Sequence, residues 1–389
     1  MSSIDQCLLT YSQEVENERE TQKNRLDGLS DQLINDITNE EEKSEYSAVN
    51  DRVRQILSDP NTCFSMTGFT PTDIEQLVTV SENIFSTSRR GRRIQLYPID
   101  FIVILLQYLR CYPHFERGAF LFNLKPATYE KYVKTALESL WSVFVKEFIT
   151  TPAEHCDLPI SPHFPEASYV VDATVQKINT PIGQFNDAKL FYSGKHYCYC
   201  LKSQVIVDVM GAALDVIAGI PGSQHDMNVF KKNYKSFNER IISNHPNTGS
   251  MILADKGYIS NEYESILITP FKGKPSNLDD FENDFNSKLA SAREVVERFF
   301  GRMKSKFSIM NQLYRGDRDD YHKYFSICAA LTNFDIRQCD TPLTKDDSEF
   351  YQRLVTNMIY IEKKRYERNL EIRKEQRIRR LGKINKQYQ

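Results

Sequence analysis

The hydrophobic period of this chain changes once, and that change limits the folds open to it. Up to about residue 150 apolar residues recur at helical spacing; from about 168 they alternate or run continuously, as they do in strands. Between the two lies TPAEHCDLPISPHFP (151–165), whose prolines can continue neither pattern. The chain therefore reads as a helical part, a linker and an α/β part. Its 389 residues suffice for two or three domains with cores of their own.

In the helical part, 71–86 opens on Pro71 and spaces Ile74, Leu77, Val78 and Ile84 as a helix would. A second, strongly apolar helix starts at Pro98 and runs to 112. A short helix (115–123), a turn at NLKP and a long helix (126–148) follow, with Trp141, Phe144 and Phe148 as core candidates. Short helix, turn, longer helix is the outline of a helix-turn-helix, and equally of a small helical bundle.

In the second part, SYVVDATV (168–175) reads as a strand. HYCYCLKSQVIVD (196–208) and ALDVIAGI (213–220) read as the two arms of a hairpin. A helix from Asp226, strands at 251–255 and 265–271, a long helix over about 284–310 and another near 321–337 complete the block. Strands first paired in a hairpin and then alternating with helices predict an α/β domain with a mixed sheet. The region 346–389 reads as one long charged helix.

Charge is uneven along the chain. Residues 1–60 hold 14 Asp/Glu against 6 Lys/Arg, and residues 361–389 hold 11 Lys/Arg against 4 Asp/Glu. An acidic head and a basic tail result, the tail suited to an anionic partner. The start, MSSIDQCLLTYSQEVENERE, has neither a basic opening nor an apolar core and does not read as a signal peptide. The longest apolar run, 99–109, is too short to cross a bilayer. The eight cysteines form no C-x-x-C pair, and Cys198 and Cys200 have no nearby His pair to complete zinc-ligand spacing, so free thiols in a reducing compartment are expected.

Three acids stand out. Asp172 interrupts an apolar strand, and Asp255 ends another in MILADKGY (251–258), where an ordinary turn would explain it equally well. Glu297 lies in AREVVERFFGRMKSKF (292–307), on a stripe with Arg293, Phe300 and Lys304 at about 100° per residue. Such a stripe is salt-bridge patterning on a solvated face unless it packs inward, as its aromatic neighbours suggest. A buried carboxylate needs a partner. Three of them at one sheet edge would repel each other unless a divalent cation joined them. Mg²⁺ or Mn²⁺ suits hard oxygen ligands, and two such ions about 4 Å apart can drive phosphodiester displacement.

These segments, taken in order, resemble the PIF/Harbinger group of DDE transposases. The matching pieces are VVDAT, YSGKHYCYCLKSQVIVD, GIPGSQHDMNVF, LADKGYIS, REVVERFFGRMKSKF and a late AALTNFDIRQ, covering about 167–337. The resemblance implies an RNase H-like catalytic domain, two divalent metal ions, cutting of double-stranded DNA at transposon ends with strand transfer, and a nuclear location. It places Asp172, Asp255 and Glu297 on the catalytic, metal-holding triad. It also admits a Myb-like DNA-binding partner protein and a homodimer. Ala173, where Gly is usual, and Thr332, where His is frequent, depart from the pattern.

The expected division is an acidic flexible extension (1–60), a helix-turn-helix-like DNA-binding region (61–150), a linker (151–166), the nuclease domain (167–340) and a charged helix with a basic tail (341–389). Lys195, Lys256, Arg293 and Lys304 are candidates for phosphate contact, each against the plain reading of a surface base. SRRGRR (88–93) could touch DNA or serve nuclear import, or be a solvated loop. Asp226, next to His225 in GSQHDMNVF, reads as a helix N-cap. A function from another class, a domesticated transposase that binds DNA or a protein without cutting, uses the same residues.

Overall fold

Pro60, Pro71, Pro98 and Pro126 each open a helix, where the missing N–H was unpaired in any case. The computed structural model describes residues 40–85, 96–149, 159–181, 185–244 and 250–387. The SRRGRR run, residues 1–39 of the acidic head and residues 151–158 of the linker lie outside the described residues. The chain divides into two compact units between Val143 and Phe144.

The described part of the first unit is helical: α1 (Glu40–Ser58), α2 (Pro60–Thr67), α3 (Pro71–Phe85), α4 (Pro98–Cys111), α5 (Phe115–Leu121) and the start of α6 (Pro126–Phe148). Helix α1 gives the last part of the acidic extension a regular helical form. Its Val49, Val53 and Ile56 repeat at i, i+4 and i+7 and are fully buried, so this stretch belongs to the core of the unit. Tyr129 on α6 is also buried, stacks on Phe122, and donates its hydroxyl to Gln107 on α4 at 2.6 Å.

The second unit holds a six-stranded mixed sheet: β1 (Ala167–Lys177), β2 (Tyr192–Ser193), β3 (Cys198–Asp208), β4 (Ala213–Pro221), β5 (Met251–Leu253) and β6 (Leu267–Ile268). Strand β3 pairs antiparallel with β1, β2 and β4; β5 pairs parallel with β1 and β6. The apolar runs of β1 and β3 follow from burial on both faces. A short helix, α7 (Phe185–Phe191), precedes β2; the sequence offered no periodic signal for either.

Helices flank this sheet. Helix α8 (Asp226–Arg240) packs Met227, Phe230 and Phe237 on Tyr169, Val171 and Ile252. Helix α9 (Asp280–Lys306) begins with a capping box in which Asp279 accepts from Glu282 N at 2.7 Å and Glu282 accepts from Asp279 N at 3.0 Å. It packs against β1 and against the long C-terminal helix α11 (Lys345–Gln387), while α10 (Tyr321–Arg337) lies on β4. Arg302 ties α9 to its neighbours, reaching Asp335 at 2.9 Å and Asp347 at 3.0 Å.

Candidate active site

Strands β1 and β5 run parallel, with Val170 beside Leu253. Asp172, within β1, and Asp255, just past the end of β5, each stand two residues beyond that pair, which brings both to the same end of the two neighbouring strands. Asp255 had two readings in the sequence, a turn former or a ligand. It is a turn former in fact: its Oδ1 accepts the Gly257 N–H at 2.7 Å and caps a 3-10 turn over Lys256–Tyr258. That bond also fixes the carboxylate at the sheet edge, so the turn serves to orient the acid.

Helix α9 brings the third acid. Arg293, one turn before Glu297, places Nη2 3.2 Å from Asp172 Oδ2, while Asp172 Oδ1 accepts from Ala173 N at 2.7 Å. Glu297 Oε2 accepts from Gln352 Nε2 on α11 at 2.9 Å. Burial lifts the Asp172 carboxyl to about 7; Arg293 pulls it down, and the negative charges of Asp255 and Glu297 push it up. Asp172 thus feels both other acids, and Arg293 pairs with it.

Residues 171–333, which include all three acids, match the model of the DDE superfamily endonucleases. This segment is a DDE superfamily endonuclease domain. The chain is 26% identical over 200 residues to the Protein ALP1-like of Arabidopsis thaliana, covering 49% of this chain and 47% of that protein, about half its length. It is 24% identical over 258 residues to the probable transposase for insertion sequence element IS702 of Microchaete diplosiphon, covering 63% of this chain and 83% of that protein. No solved structure matches it.

The donor chemistry of the DDE domain fits a hard divalent cation. Carboxylate oxygens on rigid backbone are the preferred ligands of Mg²⁺ and Mn²⁺, and burial, with the neighbouring Asp255 and Glu297 adding to it, makes the charged form of Asp172 costly without a cation. Among the described residues, no three His, Cys, Asp or Glu side chains already close around one point. Arg293 occupies Asp172 and Gln352 occupies Glu297, so taking up a cation requires those contacts to be exchanged.

The bases divide. Lys195, beside Gly194 in the turn before β3, and Lys256, next to Asp255, are exposed at their positions. Arg293 is committed to Asp172. Lys304 is not a surface base: it is buried, its ammonium donates to Val175 O at 3.0 Å, and burial lowers it to about 7. The stripe on α9 runs along β1, which puts its last member under the sheet and out of reach of a phosphate.

Asp226 is not the N-cap of α8. His225 takes that place, its Nδ1 accepting from Met227 N at 3.4 Å, and Asp226 begins the helix proper. The Asp226 carboxylate instead meets Lys202 of β3, with Oδ1 2.6 Å from Nζ. Burial raises the hydroxyls of Tyr258 and Tyr351, with the charges of Asp172 and, behind it, Asp226 adding to the rise. Of the two departures from the family pattern, Ala173 still supplies an N–H to Asp172, and Thr332 is buried with its hydroxyl on Cys328 O at 2.8 Å. Gln352 had no signal in the sequence, where its helix read only as charged.

Proposed function

We propose that this chain is a transposase-like DNA endonuclease whose Asp172, Asp255 and Glu297 hold Mg²⁺ or Mn²⁺, two ions in the working state, for phosphodiester hydrolysis and strand transfer. The alignment of Asp172 with Asp255 on neighbouring parallel strands, with Glu297 close enough to perturb Asp172, carries this reading. The strand order β4–β3–β1–β5–β6, with three antiparallel strands followed by two parallel ones, is compatible with an RNase H-like fold.

In such a site the divalent cation supplies Lewis-acid polarisation and a water or hydroxyl activated for attack. The chain's own residues do the rest. Gly257 N–H holds Asp255 in one orientation, and β1 holds Asp172. Arg293 neutralises Asp172 before the cation arrives. Lys195 and Lys256 take up backbone phosphates, which gives affinity without sequence choice. The helical unit and the basic tail extend that grip on double-stranded DNA, and a Myb-like partner or a second copy of the chain completes end recognition. A chain acting on chromosomal DNA in this way would work in the nucleus. Among the described residues no helix is long and apolar enough to cross a membrane.

The test is cleavage and binding measured side by side on DNA carrying the element's terminal repeats. With Mg²⁺ or Mn²⁺ the protein cuts; with Ca²⁺, which accepts looser coordination, it binds without cutting. Asp255→Asn keeps the shape, keeps DNA affinity without metal, and abolishes cutting. Specific binding that never leads to cutting or joining, even with the partner added, would instead assign the chain to the non-cleaving class.

A further inference from the structure

A fourth carboxylate, that of Asp226, stands across Gly257 from Asp255. A Cβ built on Gly257 would lie 2.9 Å from Asp255 Oδ1 and 3.4 Å from Asp226 Oδ2. The two carboxylates therefore flank one glycine, and a larger residue there would crowd both. Two residues of β3 fix Asp226 from below. Lys202 Nζ pairs with Oδ1 and donates to Gln224 O, and Gln204 Nε2 donates to Asp226 O at 3.3 Å and lies 2.9 Å from the Tyr258 hydroxyl. Lys202 and Gln204 are both more than nine-tenths buried.

A helix start gains little from this arrangement. His225 already caps α8, and a buried ion pair contributes less to stability than an apolar pair of the same volume commonly would. Meanwhile Gln204 Oε1, a hard oxygen on the amide that spans Asp226 and Tyr258, is buried with no hydrogen-bond partner among the described residues. An acceptor without a donor, on the amide that holds the Asp226 carbonyl, is one that a hydrated cation would satisfy.

We propose that Asp226 is a positioning residue of the cation site, a fourth carboxylate whose charge Lys202 tempers and whose surroundings Gln204 completes. This rests on the proposed metal-dependent function of Asp172, Asp255 and Glu297. Asp226 strengthens the hold on the cation from the α8 side, and Lys202 limits that hold by neutralising part of its charge.

The test is Mn²⁺ binding to the full chain, without DNA, by water-proton relaxation and calorimetry, with melting temperature and circular dichroism as fold controls. Asp226→Asn should weaken Mn²⁺ binding tenfold or more, in the range seen when outer partners of a metal site are lost. Asp226→Glu should recover part of that loss. Lys202→Met should shift binding the opposite way, tightening it severalfold, because Asp226 then carries its full charge. A purely structural pair would lower the melting temperature in both variants and leave Mn²⁺ affinity within twofold. Unchanged affinity in Asp226→Asn while Asp255→Asn loses the metal would overturn the proposal and leave the triad standing. Should Asp226→Asn fail to fold, Lys202→Met still decides, since binding that weakens or stays unchanged contradicts it. Mn²⁺ binding that survives Asp255→Asn would sink the parent reading.

Discussion

Asp172 and Asp255, 83 positions apart in the chain, stand at matching distances along neighbouring segments, each two residues beyond Val170 and Leu253, which pair in parallel strands. Parallel pairing makes this alignment possible, because side chains at matched positions share a face. Each carboxylate is held by a neighbouring backbone N–H, Ala173 for Asp172 and Gly257 for Asp255. Arg293 occupies the space where charge would otherwise accumulate.

The raised Asp172 makes metal-free stability depend on pH. Its carboxyl keeps its proton to about 7 when folded and to about 3.8 when unfolded. The folded state therefore binds more protons between those values. The stabilisation is fully present below about 3.8 and is lost as pH rises through 7, on the order of 4 kcal/mol in all. In EDTA, Asp172→Asn should melt higher than the unmodified protein at pH 8 and no higher at pH 4. Bound metal competes with the same proton, so the Mn²⁺ needed for half-saturation should climb below pH 7. Parallel melting curves for both proteins from pH 4 to 8 would refute the assignment.

The lysines give a separable prediction about DNA. Lys195→Ala and Lys256→Ala should each weaken binding at all sequences alike and reduce the salt slope by about 1. Lys304→Met should change neither, since its ammonium is buried on Val175 O. A reduced slope in Lys304→Met alone would mean that α9 turns this residue outward on DNA.

These outcomes trace what the chain reveals before it folds. The change of period near residue 166 was enough to mark the hairpin β3–β4, and the interrupted apolar runs at Asp172 and Asp255 were enough to mark two acids. Their alignment was not legible, because it depends on a parallel pairing that no local pattern encodes. Lys304 was misread for a related reason. A helical stripe shows which residues share a face, but not where along its length that face passes under a sheet. Asp226 and His225 can each cap a helix, and only the extended backbone at His225 decides between them. The buried α1 was within reach: Val49, Val53 and Ile56 keep helical spacing, hidden in an acidic composition.

Arg302 tests the frame that holds α9, and with it Glu297, in place. It bonds Asp335, Asp347 and the carbonyls of Thr341 and Pro342. Arg302→Met would strand Asp347 without its guanidinium and leave Asp335 to Lys306 alone. A loss of about 3–5 kcal/mol is expected by urea unfolding, and Arg302→Lys should restore only part of it because the paired fork is missing. A loss below about 1 kcal/mol would show that the network is dispensable.

Gly257 tests the orientation of Asp255. A methyl group there would stand 2.9 Å from Asp255 Oδ1, so Gly257→Ala should displace the carboxylate while the sheet and its helices stay folded. Mn²⁺-dependent cutting should fall at least tenfold with little change in DNA affinity. Full activity in this variant would show that the carboxylate tolerates movement and that the turn does not orient it.

The central claim, that the aligned acids form one cation site, is tested most directly by anomalous diffraction from crystals soaked in Mn²⁺. Mn²⁺ is expected between Asp172 and Asp255, with Glu297 turned in from Gln352 and Arg293 displaced from Asp172. Mn²⁺ bound elsewhere, with the Arg293–Asp172 pair intact at saturating metal, would contradict it.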